Sequence, residues 1–338
     1  MGVNVRYPLR PRTGLTRRFR PVDRYPGGAA RRAAGFAEPG HVPVWAGTDA
    51  AAEAEVCVVE WLYHSRSAEE AGGDAEADAS PVVVIKIGGS VFTDLAAYKR
   101  CAAYLKKRVD EAPQEQLVVV VSAEFGMTDR LEALARQLCL APDPGTLDLL
   151  WSTGEVQSVA TLTLCLHAEG VPAVGLSVHE CGLRAPHQDE AVEHVVVEGP
   201  SLRSRIAGVP VAVVPGFLAR GPGDRVVSLG RGGSDLTAVL LAAGLGAVRC
   251  ELIKDVPGYF DKDPHRFADA APLDHITYAR ALAMARDGCD LVQARAIEAA
   301  ARHGTPVIVR SLHDGDHQTR LTAAETPARA TAQSTAVA

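Results

Sequence analysis

Between residues 82 and 309, short apolar runs rich in Val and Ile alternate with longer segments of helical pattern. This alternation predicts strands at 82–85, 117–121, 173–176, 209–214, 249–253 and 306–309, and helices at 94–110, 129–140, 153–169, 277–286 and 293–302. Strands this apolar, separated by helices, are typical of a mostly parallel sheet that is covered on both faces. We therefore predict an α/β domain that binds its ligands at the carboxyl ends of its strands.

The composition narrows the class of protein. The chain has 338 residues, 47% of them hydrophobic, and a formal net charge of −6. No apolar run is long enough to span a bilayer, so we expect no membrane association. The seven cysteines are widely separated and form no CxxC pair, which disfavours a metal site or a disulfide framework. We expect a cytoplasmic protein without a metal held by its own side chains.

The chain divides into three parts. Residues 1–80 form a basic extension, with nine arginines and a single acid in the first 32 positions, one possible strand at 55–63 and a linker. The extension could be a basic arm for nucleic acid, anionic lipid or an acidic partner, but a floppy extension or a misassigned start is the simpler interpretation. Residues 81–312 form the predicted domain, and we expect 313–338 to be a disordered tail.

A glycine-rich loop at 230–235 follows a short apolar run and precedes a helix that ends near Gly244. Its sequence is Gly-Arg-Gly-Gly-Ser-Asp, and either Ser234 or Asp235 is placed to cap the helix. Glycines allow a ligand to approach the backbone, and Arg231 offers a fork for a carboxylate or phosphate. The loop could bind an anion, or it could be only a tight turn.

Lys86 stands at the end of the first strand, before Gly88, Gly89 and Ser90. A lysine there could reach a transferring phosphoryl group while the following amides hold phosphate oxygens. The segment lacks the GK[ST] ending of a Walker A loop. A surface lysine at a strand end would leave the same pattern.

Four other polar residues follow strands or begin helices. Glu155 stands at the predicted start of a long helix, where it could bind an amino group or favour the helix dipole. Ser122 and Thr128 flank a turn after a buried strand, and could hydrogen-bond a ligand carboxylate or only shape the turn. Asp255 follows another strand and could face a nucleotide.

Residues 184–198 are polar and poorly patterned, which predicts a hairpin or flap near the substrate. His187, Asp189, Glu190 and His194 could select the acceptor there. They fit a solvated hairpin equally well, and we favour that interpretation.

In order along the chain, these motifs resemble the amino acid kinase family, and most of all the catalytic domain of aspartate kinases. The motifs are Lys-x-Gly-Gly-Ser, Ser-Ala-x-x-Gly-x-Thr-Asp, Gly-Glu-x-x-Ser, Pro-Gly-Phe, Leu-Gly-Arg-Gly-Gly-Ser-Asp-x-Thr-Ala and Asp-Val-x-Gly. The resemblance covers roughly residues 82–312. It implies a three-layer sandwich around the central sheet, and a homodimer.

The resemblance also implies roles. Lys86 would stabilise the transferring γ-phosphoryl group, and Asp235 would orient the lysine and the reacting groups. The amino acid would be bound by Ser122, Thr128, Glu155, Arg231 and Ser234, and the nucleotide by Gly88, Gly89, Ser90, Lys254, Asp255, Phe260 and Arg266. The implied reaction is in-line transfer from Mg²⁺-bound ATP to a carboxylate.

The nucleotide side departs from the family pattern. Lys254 stands where these kinases usually have threonine, and Asp290 stands where they have a phosphate-side lysine. The usual Asp-Pro-Arg is Asp263-Pro264-His265, with Arg266 one place late. We hypothesise that Lys254 or Arg266 supplies the missing positive charge.

The leading prediction is a kinase of L-aspartate, or of a close analogue, that forms an acyl phosphate. Residues 313–338 are too few for an ACT domain, so we expect no feedback control through such domains. Two alternatives stay open. The fold could act on another carboxylate, a phosphate or a phosphonate, or the chain could be an amino-acid-binding regulatory subunit with degraded ATP chemistry.

Overall fold

The computed structural model describes residues 80–185, 195–230, 232–264, 266–312 and 317–324. The basic extension with its predicted strand at 55–63, the tip of the predicted flap, Arg231 and His265 lie outside the described residues. Everything below concerns the described ranges.

Twelve strands and seven helices make up these ranges. The strands are β1 (Val82–Ile87), β2 (Gln116–Val121), β3 (Ala173–Gly175), β4 (Leu183–Arg184), β5 (Val196–Val197), β6 (Val211–Pro215), β7 (Leu218–Arg220), β8 (Val226–Ser228), β9 (Arg249–Ile253), β10 (His275–Thr277), β11 (Val307–Arg310) and β12 (Gln318–Thr322). The helices are α1 (Leu95–Glu111), α2 (Met127–Leu138), α3 (Pro144–Ala168), α4 (Gly199–Ile206), α5 (Gly233–Gly244), α6 (Tyr278–Arg286) and α7 (Ala294–His303).

The central sheet has eight strands in the order β10-β12-β11-β9-β1-β2-β6-β3. Strands β11, β9, β1, β2, β6 and β3 pair in parallel, whereas β12 runs antiparallel to β11. All six residues of β1 are buried, as expected of a strand covered on both faces. The predicted α/β fold with a mostly parallel sheet is confirmed.

Alternate residues of the central strands face two separate cores. Val83 and Ile85 pack with side chains of α1 and α3, whereas Val82 and Val84 pack with side chains of α5 and α7. Helices therefore cover both faces, and the predicted three-layer sandwich is confirmed. Within the described ranges, no helix combines the length and the apolar character that crossing a membrane requires.

A second, four-stranded sheet has the order β5-β4-β7-β8. Strand β4 pairs antiparallel with β5, with Leu183 opposite Val197. The hairpin predicted at 184–198 is therefore present at its base. His187, Asp189, Glu190 and His194 lie outside the described residues, and their predicted alternatives stay open.

The prediction of a helix beginning at 153 is wrong, because α3 begins at Pro144. Asp143 caps the helix by accepting from the backbone N–H of Thr146 at 2.9 Å. Proline is tolerated in a first helical turn, where its missing N–H has no intrahelical acceptor. Glu155 is consequently in the middle of a helix, not at its start.

The prediction of a disordered tail from residue 313 is wrong for 317–324. Strand β12 lies between β10 and β11, and its Thr319 and Leu321 are fully buried. The Thr319 hydroxyl accepts from the Tyr259 backbone N–H at 2.7 Å and donates to the Leu273 carbonyl at 2.6 Å. A strand with only two inward-facing positions gives too short an alternation to stand out in a Thr-rich and Ala-rich sequence.

Candidate active site

The site begins where β1 and β9 end side by side. Lys86 lies near the end of β1, and Lys254 directly follows β9, which pairs in parallel with β1. Residues 82, 84 and 86 share the face of β1 that packs against α5. As a result, Lys86 Nζ reaches Asp235 Oδ1 in the first turn of α5 at 2.8 Å. Lys254 Nζ lies 2.8 Å from the other oxygen, Asp235 Oδ2.

This lysine–aspartate–lysine centre is buried. Asp235 is only 3% exposed, and burial alone would raise its pKa. Lys86 and Lys254 outweigh burial and lower the pKa of Asp235 to about 2. Burial lowers the pKa of Lys254, while Asp235 opposes that shift. Two ammonium groups around one carboxylate leave an excess positive charge, which favours an anionic ligand.

The glycine loop turns the chain from β8 into α5. Gly230 and Gly232 have φ angles of 75° and 77°, which L-residues with side chains rarely adopt. A Cβ at Gly232 would collide with the side chain of Gln293. Arg295 Nη1 donates to the Leu229 carbonyl at 2.9 Å and so holds the start of the loop.

The predicted cap by Ser234 or Asp235 is wrong. Gly232 is the N-cap, and no side chain caps the helix. Asp235 lies three residues beyond the N-cap, and the two lysines occupy its carboxylate. Both Ser234 and Asp235 line the cavity described next, while Arg231 lies outside the described residues.

A cavity of about 490 Å³ opens at this edge of the sheet. It brings together nine of the residues that the sequence indicated: Lys86, Gly89, Ser90, Ser122, Thr128, Glu155, Ser234, Asp235 and Lys254. Gly89 must be glycine here, because a Cβ would lie 2.8 Å from the Ala123 carbonyl oxygen. The turn after β1 can therefore pass close to the turn after β2.

Glu155 projects from the middle of α3 into the wall of the same cavity. Gly154 allows this approach, since even a Cβ there would lie 3.0 Å from the Ala123 Cβ. Glu155 Oε1 lies 3.4 Å from the Ala123 backbone N–H, and Oε2 has no hydrogen-bond partner among the residues that the structure describes. Burial raises the pKa of this carboxyl to about 7. An amino group would supply the missing donor and a compensating charge.

A second cavity, of about 510 Å³, contains two more of the predicted nucleotide residues, whereas Gly88 lines neither cavity. Phe260 and Arg266 line it, and exposed Asp290 lines both cavities. Asp255 lines neither cavity; its Oδ1 lies 3.5 Å from the Ser90 hydroxyl. The two cavities therefore adjoin at Asp290, with the lysine–aspartate–lysine centre in the first.

Three aromatic residues line the first cavity although the sequence assigned no role to them: Phe125, Trp151 and Phe217, the last residue of the Pro-Gly-Phe motif. The rings of Trp151 and Phe217 lie 5.9 Å apart in a tilted arrangement. Trp151 is one helical turn before Glu155, a spacing that becomes visible only when α3 is extended back to Pro144. Phe217 has a φ of 68°, and its backbone N–H donates to the Thr237 hydroxyl at 3.1 Å.

A mostly parallel α/β sheet with a buried cationic centre, a glycine loop and an adjoining second cavity at one edge is typical of domains that bind anionic ligands at the ends of their strands. Residues 81–311 match the family model described as amino acid kinase family. The chain belongs to the amino acid kinase family.

The relatives agree with this assignment. The chain is 37% identical over 230 residues to an aspartokinase of Thermus thermophilus, covering 68% of this chain and 56% of that protein. A crystal structure of aspartate kinase from Synechocystis superposes with a TM-score of 0.64 at 33% identity, over 73% of this chain and 40% of that one. The chain thus spans little more than half the length of the curated relatives it matches.

A third comparison is with aspartokinase III of E. coli, crystallised with aspartate and ADP. The TM-score is 0.61 at 26% identity, over 72% of this chain and 65% of that one. The expected resemblance to the aspartate kinases is confirmed.

Proposed function

We propose that this chain transfers the γ-phosphoryl group of ATP to the side-chain carboxylate of L-aspartate, or of a close analogue, and so forms an acyl phosphate. The observation that carries the proposal is the placement of unpaired Glu155 Oε2 in the same cavity as the lysine–aspartate–lysine centre. Glu155 suits an ammonium group, and the lysine–aspartate–lysine centre suits a phosphate. The relatives named aspartokinase, and the aspartate and ADP bound by the E. coli enzyme, support the same reaction.

In this proposal the amino acid occupies the first cavity. Glu155 accepts from its ammonium group, while Ser122, Thr128, Ser234 and Arg231 bind its remaining polar groups. An oxygen of the side-chain carboxylate bonds to the γ-phosphorus as the bond to the β,γ-bridging oxygen breaks, and ADP leaves. The attacking carboxylate is already ionised, so the chain needs to supply no general base.

Lys86 and Lys254 stabilise the charge on the transferring phosphoryl group, and Asp235 holds both ammonium groups in place. The centre is formed before any ligand arrives, so little reorganisation is needed during transfer. Gly88, Gly89 and Ser90 hold phosphate oxygens through their backbone. Phe260 and Arg266 line the second cavity, which we assign to the rest of the nucleotide, with Asp255 beside Ser90.

We assign to Lys254 the role of the phosphate-side lysine that Asp290 replaces. Lys254 Nζ is in direct contact with Asp235, whereas Arg266 is exposed and stacks 6.0 Å from the Phe267 ring. Of the two candidates that the sequence suggested, only Lys254 therefore touches the centre where charge develops.

Mg²⁺ is the expected companion of ATP. Within the described ranges, no three His, Cys, Asp or Glu side chains group closely enough to hold a metal by themselves. Asp235 is committed to its two lysines. Mg²⁺ usually keeps several waters and binds through phosphates and one or two carboxylates, so we propose that it enters with the nucleotide and neutralises phosphate charge.

Trapping with hydroxylamine tests the function. The full chain is incubated with Mg-ATP, L-aspartate and hydroxylamine, and a hydroxamate that depends on all components is the expected product. If L-aspartate gives no hydroxamate but another acceptor from a panel is phosphorylated at the expense of ATP, the alternative acceptors would be favoured. Aspartate binding in calorimetry without any nucleotide binding would favour the regulatory subunit.

We also propose a homodimer. Large apolar side chains stay exposed on the outer faces of α2 and α3, among them Leu138 (80% exposed), Leu149 (59%) and Leu164 (68%). Burying them against a second copy would remove apolar surface from water. Light scattering should give twice the chain mass, and Leu138→Glu with Leu164→Glu should give monomers.

A further inference from the structure

One polar atom in the first cavity is not used by the reaction proposed above. Trp151 lines the cavity, and its indole Nε1–H is buried and has no hydrogen-bond acceptor within the described ranges. A buried donor without a partner is costly, and buried indole groups usually find one. An acceptor atom on a ligand in the cavity would remove that cost.

The position of Trp151 on α3 indicates which ligand atom would accept from its indole N–H. Trp151 and Glu155 are four residues apart, so their side chains neighbour each other on one face of the helix. Among the described residues, Glu155 Oε2 is an acceptor without a donor, and Trp151 Nε1 is a donor without an acceptor. An α-amino acid carries a complementary pair, an ammonium and a carboxylate on the same carbon.

Phe217 completes this wall of the cavity. Its ring lies 5.9 Å from that of Trp151, and the Thr237 hydroxyl accepts from its backbone N–H. Phe217 keeps a left-handed backbone that a bulky residue rarely adopts, at a φ of 68°. The two rings therefore form a fixed apolar surface next to the donor–acceptor pair.

We propose that Trp151 is a specificity-determining residue, whose indole N–H donates to the α-carboxylate of the acceptor while Glu155 accepts from its ammonium. The proposal rests on the proposed function, because it assigns an atom of the same acceptor. A carboxylate can accept several hydrogen bonds, so the α-carboxylate can accept from the Trp151 N–H and from other donors as well. The site would thus select α-amino acids over amines or acids that carry only one of the two groups.

The test compares Trp151→Phe with the wild type, since phenylalanine keeps a ring and removes the N–H. Loss of one hydrogen bond should weaken L-aspartate binding roughly five-fold and raise its KM by the same factor. The KM for ATP should stay unchanged, and the thermal midpoint of the ligand-free protein should not fall. β-Alanine lacks the α-carboxylate, so its weaker binding should be the same in both proteins. Gln157→Ala, at an exposed position on the same helix, is the matched control.

A spectroscopic arm uses the three tryptophans of the chain. With Trp45 and Trp61 replaced by phenylalanine, Trp151 is the only indole, and L-aspartate should change its emission while β-alanine does not. Equal aspartate affinity in Trp151→Phe and wild type would overturn the role of Trp151 and leave the kinase reaction standing. A wild type that binds no amino acid at all would overturn the reaction and the assignment together.

Discussion

Lys254 Nζ lies 2.8 Å from Asp235 Oδ2, on the opposite side of that carboxylate from Lys86. The ion pair joins the residue after β9 to the first turn of α5. Lys254 stands where aspartate kinases usually have threonine, and Asp290 where they have lysine. The contact therefore supports our proposal that Lys254 supplies the positive charge that Asp290 does not.

Lys254→Ala should lower kcat/KM for ATP by roughly ten-fold or more, because it removes a charge-assisted hydrogen bond at the reacting phosphate. Initial rates at varied ATP measure the effect. Lys106→Ala, which breaks a surface pair with Asp110, should change nothing. An unchanged kcat/KM for ATP in Lys254→Ala would remove this lysine from the nucleotide side.

Asp235→Asn should abolish most activity and destabilise the fold by about 3–5 kcal/mol, since two buried ammonium groups lose their counter-charge. The pKa of Asp235 is lowered to about 2, so its ionised form stabilises the wild type above about pH 4. That contribution should be lost as pH falls from about 4 to about 2. Urea unfolding across this range should show the loss in wild type and not in Asp235→Asn; exposed Asp110→Asn should behave like wild type.

Glu155 predicts a pH dependence near neutrality. Its pKa is raised to about 7, and only the ionised form attracts an ammonium group. The KM for L-aspartate should therefore fall as pH rises from 6 to 8. Glu155→Gln should raise that KM roughly ten-fold or more and flatten its pH profile.

The raised pKa of Glu155 also predicts that the stability of the ligand-free fold declines as pH rises, whereas aspartate binding improves. Ionising buried Glu155 destabilises the ligand-free fold, so wild-type stability should decline between about pH 4.5 and pH 7. Glu155→Gln should lose less over that interval and be the more stable protein at pH 8. A wild-type KM that does not vary with pH would count against Glu155 as the ammonium ligand.

Gly232→Ala should inactivate the chain, because alanine there is both strained and in collision with the Gln293 side chain. Gly304→Ala is the matched control: its φ is 64°, and nothing lies within 4 Å of the added Cβ. Both variants should lose about 1–2 kcal/mol to left-handed strain. Only Gly232→Ala should also lose activity beyond what its unfolding midpoint explains.

Thr319→Val tests the place of β12 in the domain. It removes the hydroxyl that joins Tyr259 to Leu273 and leaves a buried N–H without its acceptor, which should cost about 1–3 kcal/mol. Phe260 follows Tyr259 into the second cavity, so the KM for ATP should rise as well. Thr319→Ser should keep the wild-type stability and the wild-type KM for ATP. A Thr319→Val variant with an unchanged KM for ATP would show that β12 does not support the nucleotide side.

The sequence predicted those parts of the fold whose signals are local and strong. The continuous apolar runs in β1, β2 and β6 can be predicted without knowledge of the tertiary context, because these strands are buried on both faces. The start of α3 was missed because Pro144 and Gly145 resemble a helix break unless Asp143 is recognised as a cap. Strands of two or three residues, such as β4 and β5, are too short to show a period.

The sequence likewise predicted some residues of the candidate site and not others. Lys86, the glycine loop and Glu155 are motif positions, and the structure brings them to one cavity. The contact of Lys254 with Asp235 depends on the pairing of β1 with β9 and on the direction of α5, which no local pattern encodes. Trp151 was missed because its relation to Glu155 exists only on a helix that was predicted to begin after it.

The excess positive charge of the lysine–aspartate–lysine centre also couples the stability of the fold to the concentration of an anionic ligand. A ligand that binds only the folded state adds stability in proportion to the logarithm of its concentration, about 2.7 kcal/mol at a hundred times its Kd. On the proposed function, that ligand is the nucleotide. The folded fraction of this chain, and with it the lifetime of the protein against proteolysis, would then follow the energy charge of its surroundings.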